Sequence, residues 1–491
     1  MRTADQITEA GADDLAARVK GLTAQIQEYY CADSVPWVIG YSGGKDSTTI
    51  LQLVWRAIAA LPPERRKKVV HIITTDTLVE QPIVAAWVKN SLDRLGHAAK
   101  EQDVPFEPHM LHPPFEQTFW VNLIGRGYPA PRHMFRWCTE RLKIQPSNQF
   151  IVDVVKECGE AMLVLGTRKA ESSRRSANMT RHEEGRLRDR ISPNSNLPNS
   201  LVYSPIEDWS NNDVWMYLMQ VSNPWGHSNR DLVTMYKGAS ADSECPLVID
   251  KSTPTCGNSR FGCWVCTMVE RDRSMEAMIQ NDEEKEWMLP LLELRNELDL
   301  KDDRHLRDFR RMNGRVQIFN GEPIHGPYTK QSREHWLRRV LETQTLVRAD
   351  GPGHVREIEL IRMEELQEIR RLWVNEKYEF DDSLPGIYQA ATGQPYPRSD
   401  ERDELLGASE WELLKEICDG DELLFELSAH LLGREREYRA MSRRIGVYTA
   451  LEATLNTRGY LTKEEAIEAA RLRLDPASPM PDPLISTETT S

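Results

Sequence analysis

The stretch WVIGYSGGKDSTTILQLVW, residues 37–55, joins an apolar run to a helical pattern through two adjacent glycines. The apolar run predicts a buried strand, and the residues from Thr49 onward predict a helix. Adjacent glycines allow a tight turn that aims successive N–H groups at an anion, and the helix N-terminus adds partial positive charge. The stretch therefore predicts a phosphate-binding loop. It is not a Walker A loop, because no glycine stands five residues before Gly43 or Gly44.

Length and composition predict a multidomain globular protein. The 491 residues indicate roughly two to four domains. No run approaches the ~18 apolar residues of a membrane span, and residues 1–20 lack the apolar core of a secretory signal. We therefore expect a cytoplasmic protein without membrane contact, whose eight cysteines are reduced rather than paired in disulfides.

Charge is segregated along the chain. The formal net charge of −14 argues against a protein that coats nucleic acid by bulk electrostatics. However, residues 168–190 hold eight basic and four acidic side chains, whereas residues 400–426 hold two basic and eleven acidic ones. Any nucleic-acid contact must therefore be local, on a basic face of an acidic protein.

Strand and helix patterns alternate after the loop. Apolar runs predict strands at residues 69–73, 106–111 and 161–166, and helical periods fall at residues 82–95 and 146–158. This alternation predicts a doubly wound, parallel α/β sheet, which binds ligands at the carboxyl ends of its strands. We therefore expect the residues that follow the strands to lie near the glycine loop; these are Asp76, Thr77 and Arg168.

Composition also predicts the organisation of the remaining chain. Residues 176–200 lack an apolar period and predict a long basic loop, and Asn211-Asn212-Asp213 predicts the cap of a following helix. Helical periods recur at residues 287–298, 358–373, 411–432 and 438–455. We predict an N-terminal helix over residues 1–30, the α/β domain over 31–239, a cysteine segment over 240–270, a mainly helical domain over 271–475 and a disordered tail over 476–491.

Four cysteines lie within 22 residues in a C-x10-C-x6-C-x2-C array: Cys245, Cys256, Cys263 and Cys266. Thiols this close together predict one metal centre, either zinc or a [4Fe–4S] cluster. Zinc ribbons usually have two C-x-x-C-like knuckles, whereas this array has one. The neighbouring Phe261, Trp264 and Val265 would shield a cluster from water. The pattern favours [4Fe–4S] over zinc.

Cys138 stands apart from this array, in the segment RWCTERLKIQP at residues 136–146. The cations Arg136, Arg141 and Lys143 would lower the pKa of the Cys138 thiol and favour the thiolate that attacks or carries sulfur. A buried structural cysteine is the alternative interpretation.

Four features in this order resemble the phosphoadenosine phosphosulfate reductase superfamily. They are SGGKDS at residues 42–47, RWCT with the following Lys143 and Pro146, GTR at 166–168 with Glu171 and Arg174, and PIEDW at 205–209. Within this superfamily, the ECP segment at 244–246, the RFGCWVC segment at 260–266 and the acidic C-terminal region are similar to the DndC family, the sulfurtransferases of bacterial DNA phosphorothioation.

The resemblance implies a PP-loop ATP pyrophosphatase with the adenine nucleotide alpha hydrolase-like fold. It implies ATP, Mg2+ and a [4Fe–4S] cluster as cofactors, and DNA, a cysteine desulfurase as sulfur donor, and DndD- and DndE-like proteins as partners. Implied ATP-binding residues are Ser42, Gly43, Gly44, Lys45, Asp46, Ser47, Asp76, Gly166 and Arg168. Lys143, Arg168 and Arg174 would neutralise substrate phosphates, Asp46 or Asp76 would place Mg2+, and Cys138, Lys45 and Asp46 would be catalytic, with Cys245, Cys256, Cys263 and Cys266 as cluster ligands.

Three other functions share parts of this pattern. A phosphosulfate reductase carries a catalytic cysteine near its C-terminus, whereas the last cysteine here, Cys418, lies in an acidic helical stretch with 73 residues after it. A tRNA thiolase would be expected to show an added RNA-binding module or a strongly basic domain. A scaffold with a vestigial nucleotide site is disfavoured by the intact Lys45-Asp46-Ser47.

Overall fold

The computed structural model describes residues 4–239, 261–397, 407–439 and 441–473. Contacts divide the chain into an α/β unit, residues 1–114 with 131–295, and a helical unit, residues 115–130 with 296–491. Cys245, Cys256 and the tail expected from residue 476 lie outside the described residues.

The α/β unit is built on a mostly parallel sheet with strand order β3-β2-β1-β4-β6-β5. Among the described strands of this sheet, only β5, at one edge, is antiparallel to its neighbour β6. This order confirms the predicted doubly wound α/β fold, in which β1 pairs with β2 on one side and β4 on the other. The strands are β1 Trp37–Gly40, β2 Val70–Thr75, β3 Phe106–Leu111, β4 Ala161–Val164, β5 Ile191–Pro193 and β6 Ser200–Tyr203.

Helices cover both faces of this sheet. Trp37 and Ile39 of β1 pack into a core with the first helices of the chain, whereas Val38 faces the core formed with Ile151 of the fourth helix. The helices are α1 Ala4–Cys31, α2 Lys45–Ala59, α3 Pro82–Glu101, α4 Gln145–Cys158, α5 Ser173–Glu183, α6 Asn211–Gln220, α7 Asn229–Gly238, α8 Arg273–Asn281 and α9 Leu289–Leu298.

The predicted long loop at residues 176–200 is wrong. Its first part continues α5, and its second part contains β5. The loop prediction rested on the missing apolar period, but α5 is held by charge instead: Lys169 contacts Glu183 at 2.6 Å, and Arg175 pairs with Glu171 one turn away. Composition alone does not reveal such pairs.

The predicted cap of α6 is also wrong by one residue. Ser210, not Asn211, is the N-cap, and its hydroxyl accepts a hydrogen bond from the Asp213 N–H at 3.2 Å. The Asp213 carboxylate accepts one in return from the Ser210 N–H at 2.7 Å. This reciprocal pair is a capping box.

The described part of the helical unit is mainly helical, as predicted. The predicted helix from Trp411 to Leu432 is interrupted, because Asp419 and Gly420 both adopt positive φ, 48° and 83°. A short hairpin pairs β7 Ile318–Phe319 with β8 Glu322–Pro323. The helices are α10 Lys330–Asp350, α11 Met363–Arg371, α12 Leu384–Thr392, α13 Ala408–Ile417, α14 Glu422–Arg439, α15 Val447–Arg458 and α16 Lys463–Leu472.

Candidate nucleotide and thiol site

The glycine loop connects β1 to α2 and leaves the start of α2 open. Gly43 has a φ of +72°, and a Cβ there would lie 2.6 Å from Val88 Cγ2, so only glycine fits. Gly44 is the N-cap of α2 and has no side chain to cap the helix; the Lys45 N–H donates to the Tyr236 hydroxyl at 3.4 Å. The Ser47 hydroxyl closes the loop by donating to the Gly44 carbonyl at 3.0 Å. The loop therefore presents a helix N-terminus suited to a phosphate.

Two nearly buried cations share one carboxylate at the start of α2. Lys45 is 7% exposed, and its Nζ lies 3.1 Å from Asp46 Oδ2. Arg168, 2% exposed, donates from Nε to Asp46 Oδ1 at 2.7 Å. The Arg168 guanidinium also donates from Nη1 to the Trp209 carbonyl at 3.2 Å. Arg168 thus holds the Asp46 carboxylate in place, beside the loop that the sequence analysis assigned to ATP.

Gly166 allows the end of β4 to approach this loop. A Cβ on Gly166 would lie 2.8 Å from the Asp46 carbonyl oxygen and 3.2 Å from the Ser47 nitrogen. Both are backbone atoms, so a larger residue would displace the loop itself. The structure gives this expected ATP-binding residue a packing role against the loop.

The PIEDW segment supports the turn that carries Arg168. The Lys169 N–H donates to the Glu207 carbonyl at 2.8 Å, and the Thr167 and Ser204 hydroxyls lie 3.0 Å apart. With the contact of Arg168 to Trp209, these bonds fix both sides of the turn. Two motifs of the resemblance therefore meet in one structural unit.

Asp76 follows β2 and lies at the same sheet end as Asp46, since β1 and β2 are parallel neighbours. Its Oδ1 accepts from the Leu78 N–H at 2.8 Å, and its Oδ2 is 3.8 Å from His112 Nδ1. Carboxylate oxygens are the ligands that Mg2+ prefers. Asp46 and Asp76 fit the requirement for a magnesium ion by the chemistry of their donors.

Cys263 lies against the turn that follows β2. Its Sγ is 3.4 Å from the Thr77 hydroxyl and 3.7 Å from Glu80 Oε1. Backbone bonds fix the contact: the Trp264 N–H donates to the Val79 carbonyl at 3.0 Å, and the Gln81 N–H donates to the Gly262 carbonyl at 3.3 Å. A thiol distant in sequence is therefore adjacent to the carboxyl end of the central strands.

The C-x-x-C segment forms a supported turn. The Cys266 N–H donates to the Cys263 carbonyl at 3.1 Å, and the buried Arg295 donates from Nε to the Cys266 carbonyl at 2.9 Å. Trp264 and Val265 are buried, as a shielded centre requires. Two soft sulfur donors on one turn fit an iron–sulfur or zinc centre. The other two cysteines of the predicted ligand set, Cys245 and Cys256, lie outside the described residues.

Residues 36–268 match the family model of the phosphoadenosine phosphosulfate reductase domain. This segment is similar to the phosphoadenosine phosphosulfate reductase domain. The chain is also 26% identical over 190 residues to Uncharacterized protein MJ0066 of Methanocaldococcus jannaschii. The aligned residues make up 39% of this chain and 32% of that relative. The chain thus spans about a third of the length of that relative. The domain match supports a nucleotide-binding superfamily of sulfur transfer and reduction.

Within the reductase-like domain, the expected low pKa of Cys138 is wrong. Burial raises the pKa of the Cys138 thiol, and the nearby Cys266 raises it further. The flanking cations are engaged elsewhere: Arg136 donates to the His133 carbonyl at 3.2 Å, and Lys143 Nζ lies 3.1 Å from Glu80 Oε1. Burial therefore disfavours the Cys138 thiolate, and the charge of Cys266 acts in the same direction.

Two polar residues of the reductase-like domain escaped the sequence analysis. Glu80 accepts from the Thr77 hydroxyl at 3.0 Å and contacts both Cys263 and Lys143. Together with burial, Glu80 raises the pKa of Cys263 to about 12. Tyr236 of α7 accepts from the Lys45 N–H at 3.4 Å. Neither residue belongs to a motif, and only the fold places them at the loop and the thiols.

The basic stretch at residues 168–190 is largely paired with acidic side chains. Arg186 Nη2 donates to both oxygens of Glu207, at 2.7 and 2.6 Å, and Lys169 Nζ donates to Asp208 at 2.9 Å. Arg190 lies 3.5 Å from Asp208. The backbone of Arg174 belongs to α5, but its side chain is outside what the structure describes. The expected basic face is therefore smaller than the sequence suggests.

None of the helices in the described ranges combines the length and apolarity that crossing a bilayer requires.

Proposed function

We propose that this chain is an ATP-dependent sulfurtransferase that modifies the DNA backbone. It would adenylate a DNA phosphate with release of pyrophosphate and replace a non-bridging oxygen with sulfur, as in the DndC family. One observation carries this proposal: the Cys263 thiol lies 3.4 Å from Thr77, at the same sheet end as the glycine loop. Nucleotide activation and sulfur chemistry can therefore share one site.

In the first step, the loop holds the phosphates of ATP. The N-terminus of α2 and the Lys45 ammonium bind the pyrophosphate portion, and Asp46 or Asp76 would hold Mg2+. A non-bridging DNA oxygen attacks the α-phosphorus. The new O–P bond forms as the bond to the β-phosphate bridging oxygen breaks, and pyrophosphate leaves. Lys143 stabilises the added negative charge.

In the second step, sulfur displaces AMP from the activated phosphate. A cysteine desulfurase supplies sulfur as a persulfide on Cys138, whose terminal sulfur attacks the DNA phosphorus. The P–S bond forms as the P–O bond to AMP breaks. The S–S bond between Cys138 and the DNA-bound sulfur remains. A thiol reductant attacks the Cys138 sulfur of that bond, which releases the phosphorothioate on DNA and leaves a disulfide between Cys138 and the reductant. Burial favours the neutral Cys138 thiol, so transfer from the desulfurase requires loss of its proton.

The cysteines fit a [4Fe–4S] cluster by donor type, and such a cluster supplies thiophilic and electron-transfer chemistry when bound. Cys263 and Cys266, with Cys245 and Cys256 of the same array, would hold it. The proximity of Cys138 to Cys266 allows Cys138 itself to be a ligand instead. DndD- and DndE-like proteins are proposed as further partners.

A sulfonucleotide reductase is the second candidate, because the matched domain is named for that activity. Such an enzyme uses a cysteine near its C-terminus as the nucleophile. The last cysteine of this chain, Cys418, is only 5% exposed. Burial of the sulfur disfavours attack on a bound sulfonucleotide. This observation ranks the reductase below the sulfurtransferase, and a tRNA thiolase remains a third candidate.

The test is a reconstituted reaction with purified protein, ATP, a cysteine desulfurase and cysteine. Parallel reactions receive duplex DNA, tRNA or phosphoadenosine phosphosulfate. We expect pyrophosphate release that depends on DNA, and phosphorothioate in the digested product. Thiolated tRNA or released sulfite, with unmodified DNA, would overturn the proposal.

Cys138→Ser separates the two roles of that thiol. If Cys138 carries sulfur, the variant keeps its iron content and its pyrophosphate release but forms no phosphorothioate. If Cys138 is a cluster ligand, iron content falls with it. Cys158→Ser, at an exposed thiol of α4, is the matched control.

A further inference from the structure

A cluster of two histidines and one glutamate lies on the sheet away from the nucleotide loop. His71 of β2 faces Glu107 of β3 across the parallel ladder, and His109 lies two residues further along β3. Side chains two apart on a strand share one face. His71 is four residues before Thr75, the last residue of β2, which corresponds to about 13 Å along the strand. Asp76 follows directly after that strand end. The cluster is therefore separate from the proposed ATP site.

Three potential ligand atoms converge in this cluster. His71 Nδ1 lies 3.1 Å from His109 Nε2 and 3.6 Å from Glu107 Oε2. The His109 Nε2 to Glu107 Oε2 distance is 3.9 Å. A triangle with these sides has a centre about 2.1 Å from each atom, which matches the bond lengths of zinc to imidazole nitrogen and carboxylate oxygen.

The surroundings of the cluster order the rings and leave one side open. The Phe150 ring of α4 packs against both imidazoles, with centroids 5.5 Å from His71 and 4.8 Å from His109. The Glu107 side chain is 56% exposed, so water reaches the outer side. Burial lowers the pKa of both histidines, which agrees with neutral rings that have a lone pair for a metal.

We propose that His71, Glu107 and His109 bind a divalent ion of the zinc class, with water in the fourth position. Two imidazoles and one carboxylate select zinc or cobalt over magnesium or calcium, which prefer all-oxygen sites. The ion would join the edge strand β3 to β2. In its absence, one ring can donate an N–H to the other over the same 3.1 Å. That ring-to-ring hydrogen bond is the alternative that the experiment must exclude.

The test is a Co2+ titration of the full-length protein, purified anaerobically with its cysteine centre intact. Cobalt bound to nitrogen and oxygen gives weak visible bands without the strong near-ultraviolet charge-transfer band of a thiolate site. We expect one equivalent bound at micromolar metal with such visible bands. Zn2+ should displace the cobalt and raise the melting temperature of the protein.

Substitutions test whether the bound equivalent of cobalt lies in this cluster. His109→Asn should lose the visible bands and one equivalent of metal, and Glu107→Gln, at an exposed position that tolerates the change, should weaken binding at least tenfold. His97→Asn, at an exposed histidine of α3, should bind as the wild type does. Equal binding by wild type and both cluster variants would mean that the histidines form only a hydrogen bond, and would overturn the proposal. None of these readouts depends on DNA modification.

Discussion

The α/β unit and the helical unit differ in what surrounds their buried charges. In the α/β unit, Lys45 and Arg168 share Asp46 directly at the N-terminus of α2. In the helical unit, the 3% exposed Arg333 pairs with the buried Glu379, and its Nη1 donates to Glu379 Oε2 at 3.2 Å. One network adjoins groups that a ligand can use, and the other is closed within the protein.

This difference indicates how to separate binding chemistry from structural chemistry. A charge next to open backbone donors adds to an anion site, since an incoming phosphate meets both. A charge pair enclosed by packing can contribute stability or specificity but has nothing to offer a ligand. Substitutions in the two units should therefore change different measurements.

The largest expected effect is on the stability of the helical unit. Arg333→Met leaves the Glu379 carboxylate buried without its partner, and such a loss destabilises a protein by about 3–5 kcal/mol. Hydrogen exchange of the α10 amides should report this loss as reduced protection. The double variant Arg333→Met with Glu379→Leu removes both charges and should regain most of it. Unchanged hydrogen-exchange protection in Arg333→Met would mean that the Arg333–Glu379 pair is not enclosed by packing.

Lys45→Ala should instead reduce catalysis. The variant removes the ammonium beside the loop, and loss of one such electrostatic contact lowers turnover by about 10²- to 10³-fold. Pyrophosphate release from ATP measures this effect. Lys20→Ala, at an exposed lysine of α1, is the control and should keep the wild-type rate. Wild-type pyrophosphate release by Lys45→Ala would mean that the glycine loop does not bind ATP.

Gly166→Ala tests the packing of the loop rather than its charge. The added methyl would lie 2.8 Å from the Asp46 carbonyl and must push the loop away. We expect the dissociation constant for ATP to rise about tenfold, which equals roughly 1.4 kcal/mol of binding free energy. Gly238→Ala, where no atom lies within 4 Å of the new Cβ, should leave ATP affinity unchanged. Equal affinities for the two variants would contradict the close approach of β4.

A pH dependence in the helical unit is the last expected effect, and it is small only when taken per pH unit. Burial lowers the pKa of Lys377 to about 7, and the nearby Arg333 adds to this shift. Because the unfolded lysine has a pKa of about 10.4, the unfolded chain binds more protons between these values. The free energy of unfolding should therefore rise with pH from about 7, by at most about 1.4 kcal/mol per unit, and level off near 10.

Urea unfolding of wild type and Lys377→Met at pH 7 and 9 measures this slope. Lys377→Met should lack the wild-type rise in the free energy of unfolding between pH 7 and 9. Lys415→Met, at an exposed position of α13, should keep that rise. A wild-type slope retained in Lys377→Met would assign the pH dependence to another group.

The sheet was predictable because its signals are local. Apolar runs mark β1 to β4, and the glycine pair marks the loop, so the doubly wound parallel sheet and the position of Asp76 follow from general rules of parallel sheets. Helix α5 was not predictable from apolar periodicity, since its supporting contact joins Lys169 to Glu183. Element boundaries set by ion pairs or by single positive-φ residues, such as Asp419, leave little trace in composition.

The site was predictable in its motifs but not in its contacts. The sequence indicated Lys45, Asp46 and Arg168, but not that Arg168 is almost fully buried against Asp46. The pKa of Cys138 was misjudged because neighbours in sequence were counted without burial. Glu80 and Tyr236 lie outside every motif, because long-range folding alone brings them to the thiols and the loop.

The most direct test of the account is mass spectrometry of nuclease-digested DNA from the native host. The intact strain is compared with a deletion of this gene, complemented by wild type, Lys45→Ala or Lys20→Ala. We expect phosphorothioate dinucleotides that disappear on deletion, return with wild type and Lys20→Ala, and stay absent with Lys45→Ala. Phosphorothioates that persist without this gene, or that Lys45→Ala restores, would contradict ATP-driven sulfur insertion at this loop.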